Sequence, residues 1–130
     1  MQIFEQMLFV GTGGFLGANA RYILSEWIAV RIENLTGYPF PYGTVFVNVI
    51  GSFLLAFFGV WVGKQINLPD NARLLVATGF FGAFTTFSTY ANESINLIRD
   101  GNWFTGIGNI MLMNVLCLIG VMAGLWIASR

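Results

Sequence analysis

Histidine is absent from the 130 residues, cysteine occurs once, and charged residues make up only 9% of the chain. Without histidine there is no imidazole base, no Ser-His-Asp triad and no histidine-held metal. A lone Cys117 makes no intramolecular disulfide and no zinc cluster, and in its apolar surroundings it reads as a small helix-packing residue. A soluble domain carries about 25% charged residues; this chain has too few polar side chains to clothe a surface in water. Six Lys and Arg balance six Asp and Glu and lie scattered, so there is no basic patch to hold a nucleic acid. The opening MQIFEQMLFV has Glu5 where a secretory leader has basic residues and lacks an A-x-A-like site, so it is expected to stay on the protein.

Apolar residues fill the space that charge leaves: 56% of the chain is hydrophobic and the mean hydropathy is +0.72. They gather in four stretches, roughly Met7 to Val30, Val45 to Val62, Leu74 to Leu97 and Trp103 to Ala128. Each is near the ~20 residues that cross a hydrocarbon core of ~30 Å. The breaks carry loop chemistry: Arg31, Glu33, Asn34 and the Gly37–Gly43 segment, then Lys64 to Arg73 with Pro69, then Arg99 to Asn102. Membrane strands alternate apolar and polar residues over ~10 positions, and these stretches are apolar all round. The expectation is an all-α integral membrane protein, one transmembrane domain over residues 1–130, its four helices joined by short loops and antiparallel to their neighbours.

An even number of spans puts the N-terminus, the second loop and the C-terminus on one side, with Lys64, Arg73 and Arg130. Arg31 and Arg99 fall on the other side. Orientation follows an asymmetry of Lys and Arg, and three against two is almost none. The chain is expected to insert both ways, which lets two copies pair upside-down about an axis in the membrane plane; orientation by features outside the count is the alternative. Small residues recur at helical spacing in Gly13/Gly17, Gly14/Ala18, Gly59/Gly63 and Gly120/Gly124. Such pairs let backbones approach closely in lipid, either inside one chain or between two. Gly11 to Gly17 lacks the lysine of a phosphate loop and the strand of a dinucleotide fingerprint, so it reads as a packing run.

Polar groups within a span cost free energy unless they are paired or face water, so they point to function. The first span holds Asn19, Arg21 and Glu26. Arg21 either snorkels to the interface or sets a fixed positive charge at an anion vestibule. Asn48 and Ser52 stand four apart on one face of the second span; the Asn48 amide offers two N–H donors, for an anion or for a neighbouring helix. The third span, Ala77 to Tyr90, has two glycines and then Thr85, Thr86, Ser88 and Thr89 among aromatic rings. That predicts a helix broken mid-span, since unwound backbone at this depth lines a wet cavity or is buried in protein, and its free carbonyls can hold a cation. Phe87, Tyr90 and Glu93 follow at spacings of three; ring edges carry positive charge and can line an anion path, or the rings only pack.

These residues carry a resemblance. Gly13-Gly14-Phe15-Leu16-Gly17-Ala18 with Arg21 and Tyr22, Gly43-Thr44 with Val47-Asn48 and Gly51, and Gly79-Phe80-Phe81-Gly82 with Thr85-Thr86-Phe87-Ser88-Thr89 are similar, in order and spacing, to the Fluc (CrcB) fluoride channels. The resemblance covers nearly the whole chain. It implies an antiparallel, dual-topology homodimer in the cell inner membrane, with two fluoride pathways and a sodium ion at the dimer interface. On that reading the backbone carbonyls of Gly82 and Thr85 hold Na+. Asn48 is the pore asparagine, Phe87 is the first pathway ring, and Tyr90 stands where the second ring is usually Phe. Thr86 and Ser88 add hydroxyls, and Glu93 lies along the pathway. The fourth helix departs from the family, leaving Asn109, Asn114 and Cys117 as its candidates, of which Asn114 is placed on the path. The implied function is passive export: HF enters from an acidified medium, ionises in the cytoplasm, and leaves as F⁻.

Two other readings stay open at this point. Small multidrug-type exporters are also dual-topology four-helix proteins and work through a membrane carboxylate; here the mid-span carboxylate is Glu93 in the third helix, whereas that family carries its glutamate in the first, and Glu26 lies near a helix end. A helper subunit that needs a different partner chain is the third.

Overall fold

The computed structural model describes residues 2–65 and 68–130, and among them all regular structure is helical. Helix α1 runs Gln2–Thr36 and α2 runs Tyr42–Gln65. The third span is assembled from pieces: α3 (Asp70–Arg73), a π-helical stretch (Leu74–Phe81), α4 (Gly82–Phe84) and α5 (Phe87–Arg99). Helix α6, Trp103–Ser129, closes the chain. Tyr42–Lys64, Asp70–Arg99 and Trp103–Ser129 are each long and apolar enough to cross a membrane.

Helix α1 is longer than the apolar stretch that announces it, with 35 residues and therefore a length of about 52 Å. Arg31, Glu33 and Asn34, expected in a loop, lie on its last turns. Charges at a membrane edge are solvated there and do not unwind a helix. What ends α1 is Gly37, at φ +65°, whose N–H bonds the Glu33 carbonyl at 2.7 Å, followed by Pro39 and Pro41. Gly101, at φ +84°, does the same after α5 and turns the chain into α6. The expected loop from Lys64 to Arg73 contains Ile66 and Asn67, which lie outside the described residues; Asp70–Arg73 is the helical turn α3.

Side-chain bonds between helix ends give the up-and-down order. Asn71 donates to Glu5 at 2.9 Å, and Lys64 donates to the Ser129 carbonyl, so the start of α1, the second connection and the end of α6 share one end. Tyr38 and Thr105 bond at 2.5 Å at the other end. Lys64, Arg73 and Arg130 therefore lie at one end of the bundle and Arg31 and Arg99 at the other.

Helix α1 packs chiefly against the π-helical stretch and α2 chiefly against α6. Both seams are made of glycine. A methyl group on Gly13 would overlap the Leu75 carbonyl, and one on Gly17 the Phe80 carbonyl; Gly79 faces Val10 and Gly13 from the opposite side. Gly120 and Gly124 meet the Val49 and Phe53 carbonyls of α2. Two of the small-residue pairs thus serve packing inside the chain, while Gly59 and Gly63 meet nothing within 4 Å among the described residues.

This difference is measurable. Gly17→Ala forces backbone apart and should destabilise the protein by about 1–3 kcal/mol. Gly59→Ala, with nothing within 4 Å to meet the new methyl, should be neutral or stabilise by up to about 1 kcal/mol through the helix preference of alanine. Thermal unfolding of the two variants in the same detergent should move Tm down in the first and not in the second.

Candidate functional site

The break in the third span falls at Thr85 and Thr86, whose backbones are extended (φ −91°, ψ 155° and φ −151°, ψ 113°). Asn48 of α2 fills it. Its Oδ1 accepts from the Thr86 N–H at 2.7 Å and its Nδ2 donates to the Thr86 carbonyl at 3.0 Å, so one carboxamide satisfies both backbone groups of one residue. The second Nδ2 proton reaches only the Met113 sulfur, at 3.7 Å, a weak acceptor. Thr86 then caps α5: its Oγ1 accepts from the Thr89 N–H at 3.2 Å and donates to Thr89 Oγ1 at 3.0 Å.

The carbonyls of Gly82 and Thr85 are among those that lose their helical donors at the break. An unbroken helix would give the Thr86 N–H to the Gly82 carbonyl, and it goes to Asn48 instead. It would give the Thr89 N–H to Thr85, and that goes to the Thr86 hydroxyl. Gly82 is exposed on the face of the single chain.

Two cavities flank the break and share Thr86. The first, of about 280 Å³, is lined by Arg21, Ser25 and Glu26 of α1, Thr44 of α2, and Thr86, Thr89 and Glu93 of the third span. Thr44 donates to Glu93 Oε1 at 2.7 Å, while Oε2 is inaccessible and has no partner. The second cavity, of about 290 Å³, is lined by Asn48, Ser52, Thr85, Thr86, Phe87, Tyr90, Met113, Asn114 and Cys117 among others. The Phe87 ring meets Tyr90 edge-on at 5.3 Å and 73°. Phe87 is 76% exposed and Tyr90 only 6%; the Tyr90 hydroxyl accepts from Asn114 Nδ2 at 2.9 Å.

The residues singled out in the sequence therefore divide. Asn48, Thr86, Phe87, Tyr90 and Asn114 meet around the second cavity, and Arg21 and Glu93 line the first, with Thr86 in both. Thr85 lines the second cavity, and Gly82 lies outside both. Ser88 lines neither; it is exposed on the first turn of α5, its Oγ 3.4 Å from Thr86 Oγ1. Asn109 is fully buried and donates to Ser94 Oγ at 2.9 Å, which fastens α5 to α6 away from the cavities. Sequence reasoning gave no role to Thr44, yet its signal was present: Thr44, Asn48 and Ser52 recur every four residues and form one polar stripe along α2 from the first cavity to the second.

Residues 8–125 match the family described as CrcB-like protein, Camphor Resistance (CrcB). Among curated proteins, the chain is 43% identical over 118 residues to the Fluoride-specific ion channel FluC of Koribacter versatilis, covering 91% of this chain and 90% of that one. It is 42% identical over 126 residues to the protein of the same name from Sorangium cellulosum, covering 97% and 96%. A Legionella pneumophila protein, also named Fluoride-specific ion channel FluC, is 42% identical over 122 residues, covering 94% and 88%.

The Asn48 bonds make a prediction that does not depend on transport. Asn48→Ala leaves the buried N–H and C=O of Thr86 unpaired, at about 1–3 kcal/mol for each group. Hydrogen exchange across residues 81–90 should accelerate in the detergent-solubilised variant. Asn48→Asp keeps the acceptor for the N–H but sets a buried carboxylate oxygen against the Thr86 carbonyl, and should accelerate exchange at least as much as Asn48→Ala.

Proposed function

The chain belongs to the CrcB-like family, and from that premise we propose that it is a fluoride-selective channel that lets F⁻ leave passively down its gradient. The observation that carries this reading is the convergence of Asn48, Thr86, Phe87, Tyr90 and Asn114 on one cavity beside the helix break. Fluoride is small and strongly hydrated, so a narrow path must replace its water with hydrogen-bond donors and positive ring edges. Amide, hydroxyl and aromatic edges are the groups this cavity offers. Arg21 at the first cavity would raise the local anion concentration, and Thr86, common to both cavities, lies between that vestibule and the rings.

The working unit in this proposal is an antiparallel homodimer in the cell inner membrane. The even distribution of Lys and Arg supports insertion in both orientations, and the exposure of Phe87 supports a second copy that encloses the ring. The donor-free carbonyls of Gly82 and Thr85 fit a sodium ion, whose charge would hold the two broken helices together at the interface. The relatives named above are fluoride-specific channels, and the proton-coupled exporter finds no support among them.

Liposomes loaded with fluoride and containing the purified protein should release it rapidly under its own gradient, read with a fluoride electrode, and should retain chloride in the matched experiment. No release from folded protein would overturn the channel reading. Phe87→Ile should abolish the release while the dimer still elutes intact from a sizing column; normal release would remove that ring from the path. Glu93→Gln should keep a substantial part of the flux, whereas a proton-coupled exporter would lose transport altogether.

A further inference from the structure

The hydrogen bonds around Tyr90 leave its hydroxyl proton without a good acceptor. Asn114 carries its amide nitrogen to two oxygens, Tyr90 Oη at 2.9 Å and the Ile110 carbonyl at 2.7 Å, so both of its N–H groups are engaged. Tyr90 Oη therefore receives a bond from Asn114 and must act as a donor elsewhere. The acceptor within reach is the same Ile110 carbonyl, at 3.5 Å, already taken by the amide at the shorter distance. A neutral hydroxyl at 3.5 Å gains little, and a donor left short of an acceptor at a buried position is costly. Tyr90 is 94% inaccessible, the complement of its 6% exposure, and it lines the second cavity together with Asn114.

Building on the channel reading, we propose that the Tyr90 O–H is a hydrogen-bond donor to fluoride in the second cavity, and that Asn114 is the positioning residue that turns it there. By filling a lone pair of Oη, Asn114 fixes the phenol as a donor toward whatever enters the cavity. The Asn48 Nδ2 proton that meets only the Met113 sulfur belongs to the same cavity and supplies a second donor. Hydroxyl donors to an anion form short, strong bonds, and the advantage is greatest for the smallest and most basic halide. Phe87 presents a ring edge; Tyr90 adds to its ring a directed proton. The position thus contributes to fluoride preference through its oxygen as well as its shape.

The test is a double-mutant cycle on the full chain in liposomes. Tyr90→Phe keeps the ring and removes only the hydroxyl; fluoride flux should fall about tenfold. Asn114→Leu should lower flux to a similar extent in the parent, and by less than twofold when Tyr90→Phe is already present. Infrared difference spectra of the solubilised protein, fluoride against chloride, should show a fluoride-dependent shift of a phenol band that is absent in Tyr90→Phe. Tyr90→Phe with parental flux and an unchanged difference spectrum would overturn the donor role while leaving the channel reading intact. Independent losses in the two variants would overturn the action of Asn114 through Tyr90. Absence of flux in the parent would overturn both readings together. Elution volume and Tm of each variant identify any loss that comes from misfolding, and the phenol band, read on folded protein, decides the donor role in that case.

Discussion

One side-chain amide of α2 pairs both backbone groups of Thr86, where the third span gives up its helical hydrogen bonds. A helix cannot be interrupted in hydrocarbon unless its freed N–H and C=O groups find partners, because no water is there to take them. Asn48 supplies a donor and an acceptor to the same residue, Thr86, at 3.0 and 2.7 Å. From that pairing follow the extended backbone at Thr85 and Thr86, the new helix start at Phe87 with Thr86 as its cap, and the redirection of Phe87 and Tyr90. The same redistribution releases the carbonyls of Gly82 and Thr85. A single tertiary contact spanning 38 positions of sequence thus shapes the cavity and frees carbonyls at the break at once.

The second constraint is proximity. The break can be reached from α2 and lined from α1 only if the helices stand close, and the glycine seams provide that. Gly13 and Gly17 bring α1 onto the carbonyls of Leu75 and Phe80, just before the break, and Gly51 of α2 lies against Thr85 and Phe84. Along this crowded part of the span the chain adopts a π-helical stretch, Leu74–Phe81, a conformation associated with functional sites. On the far side Ser94 and Asn109 hold α5 to α6, so the Tyr90 ring is positioned from its backbone as well as from its hydroxyl.

Much of this was legible in the sequence, for a reason peculiar to membranes. Lipid tolerates so few polar side chains that Asn48, Thr86, Glu93 and the hydroxyl cluster stood out without any knowledge of the fold, and four apolar stretches with a damaged third carried the architecture. What the sequence withheld concerns partners and registers. Asn48 could serve an anion or a helix, because a carboxamide is chemically suited to both and only the contact with Thr86 shows where its hydrogen bonds go. The glycine pairs announced close approach without naming what approaches. The extension of α1 past Val30 was hidden because hydropathy measures where lipid ends, and the helix does not end there. The π-helical register leaves no side-chain pattern, and Ser88, two residues after Thr86 in sequence, is carried by helical rotation to a different face.

The seam between α1 and the third span has a thermal consequence. At Gly13, Gly17 and Gly79 backbone meets backbone with no side chain interposed. Most helix contacts are cushioned by long side chains that hop among rotamers, and their spacing loosens as temperature rises. Glycine has no rotamers to populate and no side-chain entropy to recover by separating. The distance across this seam is therefore fixed by the hard contact of main chains, and the part of the third span that leads into the break should keep its place in a cold, stiff bilayer and in a warm, fluid one alike.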